Sequence, residues 1–130
     1  MNRIAAFALA LTTVATGLAG AADDRNAAAA AELDKQFDAY FEENLKLNPV
    51  QASSIGDYRY NDQFPVTISP EHRAASTALD KKYLKSVKAI DPKRLDAQRA
   101  LSREIFIRAR ERSLAGDRFP TWLAPVNQFT

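Results

Sequence analysis

Residues 31–51 read AELDKQFDAYFEENLKLNPVQ. Within them Leu33, Phe37, Tyr40, Phe41 and Leu45 recur at spacings of three and four, which lines one face of an α-helix. The charged residues Glu32, Asp34, Lys35, Asp38, Glu42, Glu43 and Lys46 fall mostly off that stripe. Five alanines, residues 27–31, lead into it. Such a helix does not hold itself together, because apolar burial needs a second surface and the backbone entropy must be offset. The stripe therefore predicts a bundle, with the aromatic residues as core rather than as a ligand platform.

The restart comes at Asn48-Pro49-Val50-Gln51. Asn48 is placed to cap a new helix, Pro49 stands where its missing N–H costs nothing, and Gln51 is spaced to close a capping box. Gly56 stops this helix after one to two turns, with Val50 and Ile55 expected against the preceding helix. Ser53 and Ser54 have no base beside them in the sequence and read as polar surface rather than as nucleophiles.

Outward toward the carboxyl end, Ser69-Pro70-Glu71 carries a cap, a first-turn proline and a first-turn acid. The helix it opens has Leu79, Tyr83, Val87 and Ile90 on one side, and Lys81, Lys82, Lys85 and Lys88 on the other. Asp91-Pro92 ends it and is read as the cap of the next, which holds Leu95, Leu101, Ile105, Phe106 and Leu114 before Gly116. Ile105-Phe106-Ile107 places large apolar groups on more than one side, the pattern of a helix sandwiched between partners. The fold class is all-α: a leader, then three longer helices and one short helix, expected to form part of a larger helical protein. Phe37, Phe41, Leu79, Tyr83, Leu101 and Ile105 are the expected core.

Between the second and third helices, GDYRYNDQFPVTIS is irregular. Phe64, Val66 and Ile68 alternate, as in a short extended piece. The aromatics Tyr58, Tyr60 and Phe64 separate this stretch from a disordered linker, and a loop of this length is commonly packed and functional. Asp57, Arg59, Tyr60 and Asp62 are the candidate ligand or cleft residues; alternatively Arg59 ties the loop down through a carboxylate.

Toward the amino end, MNRIAAFALALTTVATGLAGAADD has a positive start, an apolar middle and small residues at 19–22. This order predicts a secretory signal peptide over residues 1–22, removed on export to the periplasm or beyond, with residues 23–130 as the mature helical segment. The stretch is shorter than a membrane span requires, so no stable membrane anchor is expected. Without cysteine a bacterial lipoprotein anchor, a disulfide and thiol chemistry are not expected. One histidine, His72, cannot build a zinc site by itself and reads as a surface or capping residue.

Of 130 residues, 18 are Lys or Arg and 16 are Asp or Glu, a formal net charge of +2. Residues 23–62 hold 9 acids and 4 bases, and residues 63–130 hold 7 acids and 13 bases, so the two halves attract when their helices pack together. The bases on the later helices alternate with Asp80, Asp91, Asp96, Glu104 and Glu111, and no docking module accompanies them. Nucleic acid is not an expected partner. The end, DRFPTWLAPVNQFT, is apolar and broken by Pro120 and Pro125, in keeping with a chain that continues into further structure.

Three stretches together carry a resemblance: FDAYFEENLKLNPVQASSIGDYRYNDQFP at 37–65, SPEHRAA at 69–75 and LAGDRFPTWLAPVNQF at 114–129. Leu47, Pro49, Ala52, Gly56, Asp57, Arg59 and Tyr60, then Asp62 and Pro65, then Ser69 to Glu71, then Pro125 to Gln128, follow in order the amino-terminal pattern of the bacterial domain-of-unknown-function family 885. The chain resembles that portion over residues 33–129. The resemblance implies an exported, mostly helical protein several times longer, similar to zinc-dependent peptidases through a His-Glu and a Gly-His-His motif far along the chain. Neither motif is present in these 130 residues. The implied role is an amino-terminal helical scaffold, inactive alone, with no catalytic or metal residue of its own and zinc belonging to the full-length protein. Its partner is then the remainder of its own polypeptide or another helical protein. The alternative is a free-standing periplasmic binding or adaptor protein using the loop from Tyr58 to Phe64 and the basic face from Lys81 to Lys88.

Overall fold

The structure, a computed structural model, describes residues 13–123, with the backbone alone for 13–22 and Trp122. The start of the expected leader and the Pro125–Gln128 run lie outside the described residues. Four α-helices follow one another: α1 (Thr13–Leu47), α2 (Pro49–Ser54), α3 (Pro70–Lys88) and α4 (Ala97–Gly116), with 3-10 turns at Pro92–Arg94 and Thr121–Leu123. Among the described residues there is no strand, so the all-α reading stands. The Phe64–Ile68 stretch, expected to be extended, is instead coil and turn ahead of Ser69.

α3 lies between its neighbours, antiparallel to both, while α1 and α4 touch each other far less than either touches α3. Leu33 of α1, Val87 and Ile90 at the end of α3, and Ile107 of α4 form the buried centre, with Phe37, Leu84, Leu95 and Phe106 packed against it. Tyr40 bridges the helices with edge-on contacts, its ring centroid 5.5 Å from that of Tyr83 and 5.0 Å from that of Phe106. The charge asymmetry of the halves is realised as cross-helix pairs: Glu43 with Lys82 at 2.6 Å and Asp34 with Arg99 at 2.8 Å. These pairs are exposed, so they fix register more than they stabilise.

Local signals and observed ends agree at Ser69, whose side chain accepts the His72 N–H at 3.1 Å. They part at Asn48. Its side chain turns back to Asn44, donating to the carbonyl at 3.1 Å and to Oδ1 at 3.0 Å, so it closes α1 and caps nothing in α2. Gln51 likewise accepts from Asn44 Nδ2 at 3.1 Å in place of a capping box. Asp91 caps only the 3-10 turn, through Lys93 N–H, and the cap of α4 is Asp96, which accepts from Arg99 N–H at 2.8 Å. Extended backbone at Leu95 (φ −108°, ψ 148°) separates the two.

The expected core holds at Leu79 and Tyr83, which are buried, and Phe37 is partly buried. It fails at Phe41, Leu101 and Ile105, which are 50%, 55% and 59% exposed. The reason is angular. Phe41 follows Tyr40 by 100° around α1, and Ile105 stands 200° from Ile107 around α4, so each leaves the seam that its neighbour enters. The two-sided pattern of α4 was therefore real, but only one of its sides has a partner among the described residues. Val50 and Ile55 also point outward, and α2 packs through Pro49 and Ala52 instead.

Candidate functional site

The loop after α2 begins with a left-handed turn. Gly56 has φ 87°, a conformation that a Cβ disfavours, and Asp57 N–H then donates to Ala52 O at 2.9 Å. Asp57 thereby faces Arg59. The Arg59 Nε donates to both carboxylate oxygens of Asp57 at 2.9 and 3.0 Å, its Nη2 to Oδ2 at 2.6 Å, and its backbone N–H to Oδ1 at 3.1 Å. The same Nη2 lies 2.9 Å from Glu42 on α1. The guanidinium also lies over the Tyr60 ring, 5.4 Å from its centroid.

Hydrogen bonds from the Arg59 side chain, then from its backbone N–H, hold the Asp57 carboxyl below its ordinary range. The Arg59 guanidinium is raised by its side-chain bonds to Asp57 and then to Glu42. Of the four candidate residues the structure brings Asp57, Arg59 and Tyr60 together and leaves Asp62 exposed, with no ion pair among the described residues. The Ser53 hydroxyl oxygen, further back, lies 3.1 Å from the Pro49 carbonyl oxygen and 2.5 Å from Asn61 Oδ1, so it ties α2 to the loop. His72 stands with Nε2 3.0 Å from the Leu47 carbonyl, closing the end of α1 from α3.

The loop's apolar groups face away from these contacts. Tyr58, Phe64, Val66 and Ile68 are all exposed. Beside them an open cleft of about 740 Å³ runs between the start of α3 and the end of α4, with Ile68, Pro70, Arg73, Thr77 and Phe119 in its walls.

A second cluster has no counterpart in the sequence reading. Asp80 on α3 is buried and accepts from Arg110 Nη1 at 2.9 Å, with the Tyr40 hydroxyl 3.4 Å from the same oxygen. Arg110 spreads over the faces of Tyr40 and Phe106, 4.6 and 5.5 Å from their centroids. Burial pushes the Asp80 carboxyl up, a Ser113 hydrogen bond acts against it, and Asp117 adds to the rise; burial also lowers Arg110. The signal was present in the spacing, since 80, 83, 87 and 90 form one helical face and an acid at its first position needs a buried partner. The partner, thirty residues away, could not be read from the spacing.

Among the described residues no group of three or more His, Asp or Glu side chains could hold a metal ion, and no helix is long and apolar enough to cross a membrane. No protein-family model, curated protein or solved structure matches the chain.

Proposed function

We infer that the chain is the amino-terminal helical scaffold segment of an exported, zinc-peptidase-like protein. Residues 1–22 direct it to the periplasm or beyond and are removed, and the helices then position other parts of that protein without performing chemistry. The reading rests on the sequence resemblance, and one observation carries it structurally. The charged groups of the Asp57–Asp62 loop are largely spent on one another and on Glu42, while its large apolar groups stand in solvent. A ligand loop would keep the charges free and cover the apolar groups; a seat for further helices does the reverse.

On the basic face from Lys81 to Lys88, Lys82 pairs with Glu43 and Lys88 with Glu111 within the chain, at the surface. Zinc does not fit the residues described. The single imidazole has Nε2 against the Leu47 carbonyl, and no acid cluster accompanies it, so no step is routed through a metal in this chain. Reading the coding DNA past Thr130 tests the proposal. Several hundred further codons that include the His-Glu and Gly-His-His motifs support a scaffold segment; a stop codon at that point overturns it in favour of a free-standing adaptor.

A further inference from the structure

The face of α1 and α4 opposite α3 is a second apolar surface, separate from the loop. Because α3 occupies one side of the α1–α4 pair, the other side is an open trough of about 500 Å³ floored by Phe37, Tyr40 and Phe106. Phe41 and Ile105 line its sides and are exposed, and Leu101 stands exposed one turn before Ile105 on α4. Three helices with such a trough lack one layer of a four-helix arrangement.

The charges flanking the trough are of opposite sign. On the α1 side Asp38 lines it, exposed and in no ion pair among the described residues. On the α4 side the exposed Arg108 and Arg112 follow Ile105 by one and two turns, the first held only by Glu104 within its own helix. The contacts Asp34–Arg99, Phe37–Phe106 and Tyr40–Arg110 rise in step along the two helices, so α1 and α4 run parallel and Asp38 is level with the turn that carries Arg108.

We propose that this trough is a self-association surface, in which two copies of the chain meet face to face about a two-fold axis parallel to the helices. That operation sets α1 of one copy against α4 of the other at the same height, so Asp38 meets Arg108 twice. A two-fold perpendicular to the helices in the same plane would set α1 antiparallel against α1, with no α4 arginine opposite Asp38, and the loss of that pairing counts against it. The exposed apolar side chains of α4 in each copy then pack on the α1 wall of the other copy's trough. A 20-residue α4 is about 30 Å long, and two helices are about 20 Å wide, so each copy covers about 600 Å². The total, about 1,200 Å², is at the lower edge of specific interfaces, so the dimer is concentration-dependent rather than permanent.

Sedimentation of the full chain from about 1 μM to about 500 μM reads the association. A monomer–dimer equilibrium is expected, abolished by Ile105→Glu with the far-ultraviolet dichroism unchanged. Asp38→Arg weakens it about tenfold or more, and adding Arg108→Asp restores it. The native chain lacks cysteine, so orientation is read directly: a mixture of Asp38→Cys and Arg108→Cys chains cross-links on oxidation faster than either alone. A monomer throughout the range overturns the proposal, as does a dimer indifferent to Ile105→Glu, or an Asp38→Cys chain that cross-links with itself fastest.

Discussion

Arg110 and Asp80 form an ion pair largely withdrawn from water, at 2.9 Å with side-chain exposures of 22% and 6%. Removing a single member of such a pair leaves a buried charge without its counter-ion, whereas removing both leaves none. Asp80→Ala is expected to cost about 3–5 kcal/mol. The double change Asp80→Leu with Arg110→Met should cost less than Asp80→Ala alone, because the aromatic wall of Tyr40 and Phe106 accepts an apolar chain. Urea unfolding of the three proteins compares them, and a double variant weaker than Asp80→Ala would show that the pair stabilises beyond its own burial.

Glu43 provides an acid-side prediction. Hydrogen bonds from Lys82 and then Tyr83 hold its carboxyl below the ordinary value of 4.5. The folded state therefore binds this proton less readily than the unfolded state, so the contribution is present above 4.5 and is lost as pH falls through the folded value. Asp80 has the opposite sign, since burial raises its carboxyl and its contribution fades as pH rises. Glu43→Gln should lower the urea midpoint at pH 7 and change it less at pH 3. Equal losses at both pH values would remove the titration from the account.

Arg59 joins its own loop to α1 through Asp57 and Glu42, and all three side chains are at least partly in water. Exposed pairs contribute little to global stability but do restrict the segment they bridge. Arg59→Ala is expected to change unfolding free energy by less than about 1 kcal/mol. Limited proteolysis within residues 55–68 should accelerate at the same time. A large global loss without new cleavage would place Arg59 among the core contacts instead.

Tyr83 on α3 and Phe41 on α1 contrast a buried aromatic with a half-exposed one. Tyr83 is buried on α3 against α1, with its hydroxyl donating to Glu43 at 2.8 Å, whereas Phe41 is half exposed. Truncating a buried aromatic to Ala costs about 3–5 kcal/mol, and truncating a half-exposed one costs less because less of it is withdrawn from water. Urea titration of Tyr83→Ala and Phe41→Ala, at a concentration where the chain is monomeric, should rank them in that order with a gap of about 2 kcal/mol.

Those residues also mark how far the sequence could be read. Period and local caps placed α3 and ended α1 near Asn48, because a helical stripe and a serine next to proline act over a few residues. The rotation of each helix about its own axis was not legible, because it depends on how many partners a helix meets. The stripe on α1 is wider than α3 alone can cover, so Phe41 fell outside, as did Leu101 and Ile105 on α4. Asn48 and Asp91 failed for a related reason: each side chain had two backbone ends within reach and took the nearer turn. In the candidate loop, the two-residue spacing of Asp57 and Arg59 made their pairing foreseeable, while Glu42 came from a different helix.

Gly56 and Gly116 look alike in the sequence, each read as the stop of a helix, yet they occupy different backbone states. Gly56 has φ 87°, where an L side chain is strained even though a Cβ would meet no atom within 4 Å. Gly116 is the last residue of α4, the following Asp117 is right-handed at φ −57°, and a Cβ at Gly116 also meets open space. Alanine at Gly56 must adopt the left-handed state or break the turn that brings Asp57 to Ala52 O, costing about 1–2 kcal/mol. Alanine at Gly116 keeps its conformation and reduces the freedom of the unfolded chain, a gain of about 0.4–1 kcal/mol. Thermal unfolding of the two variants should therefore move in opposite directions from the parent, Gly56→Ala downward and Gly116→Ala upward. If both moved downward, the end of α4 would require glycine as the turn after α2 does, and the helix would have to stop before residue 116.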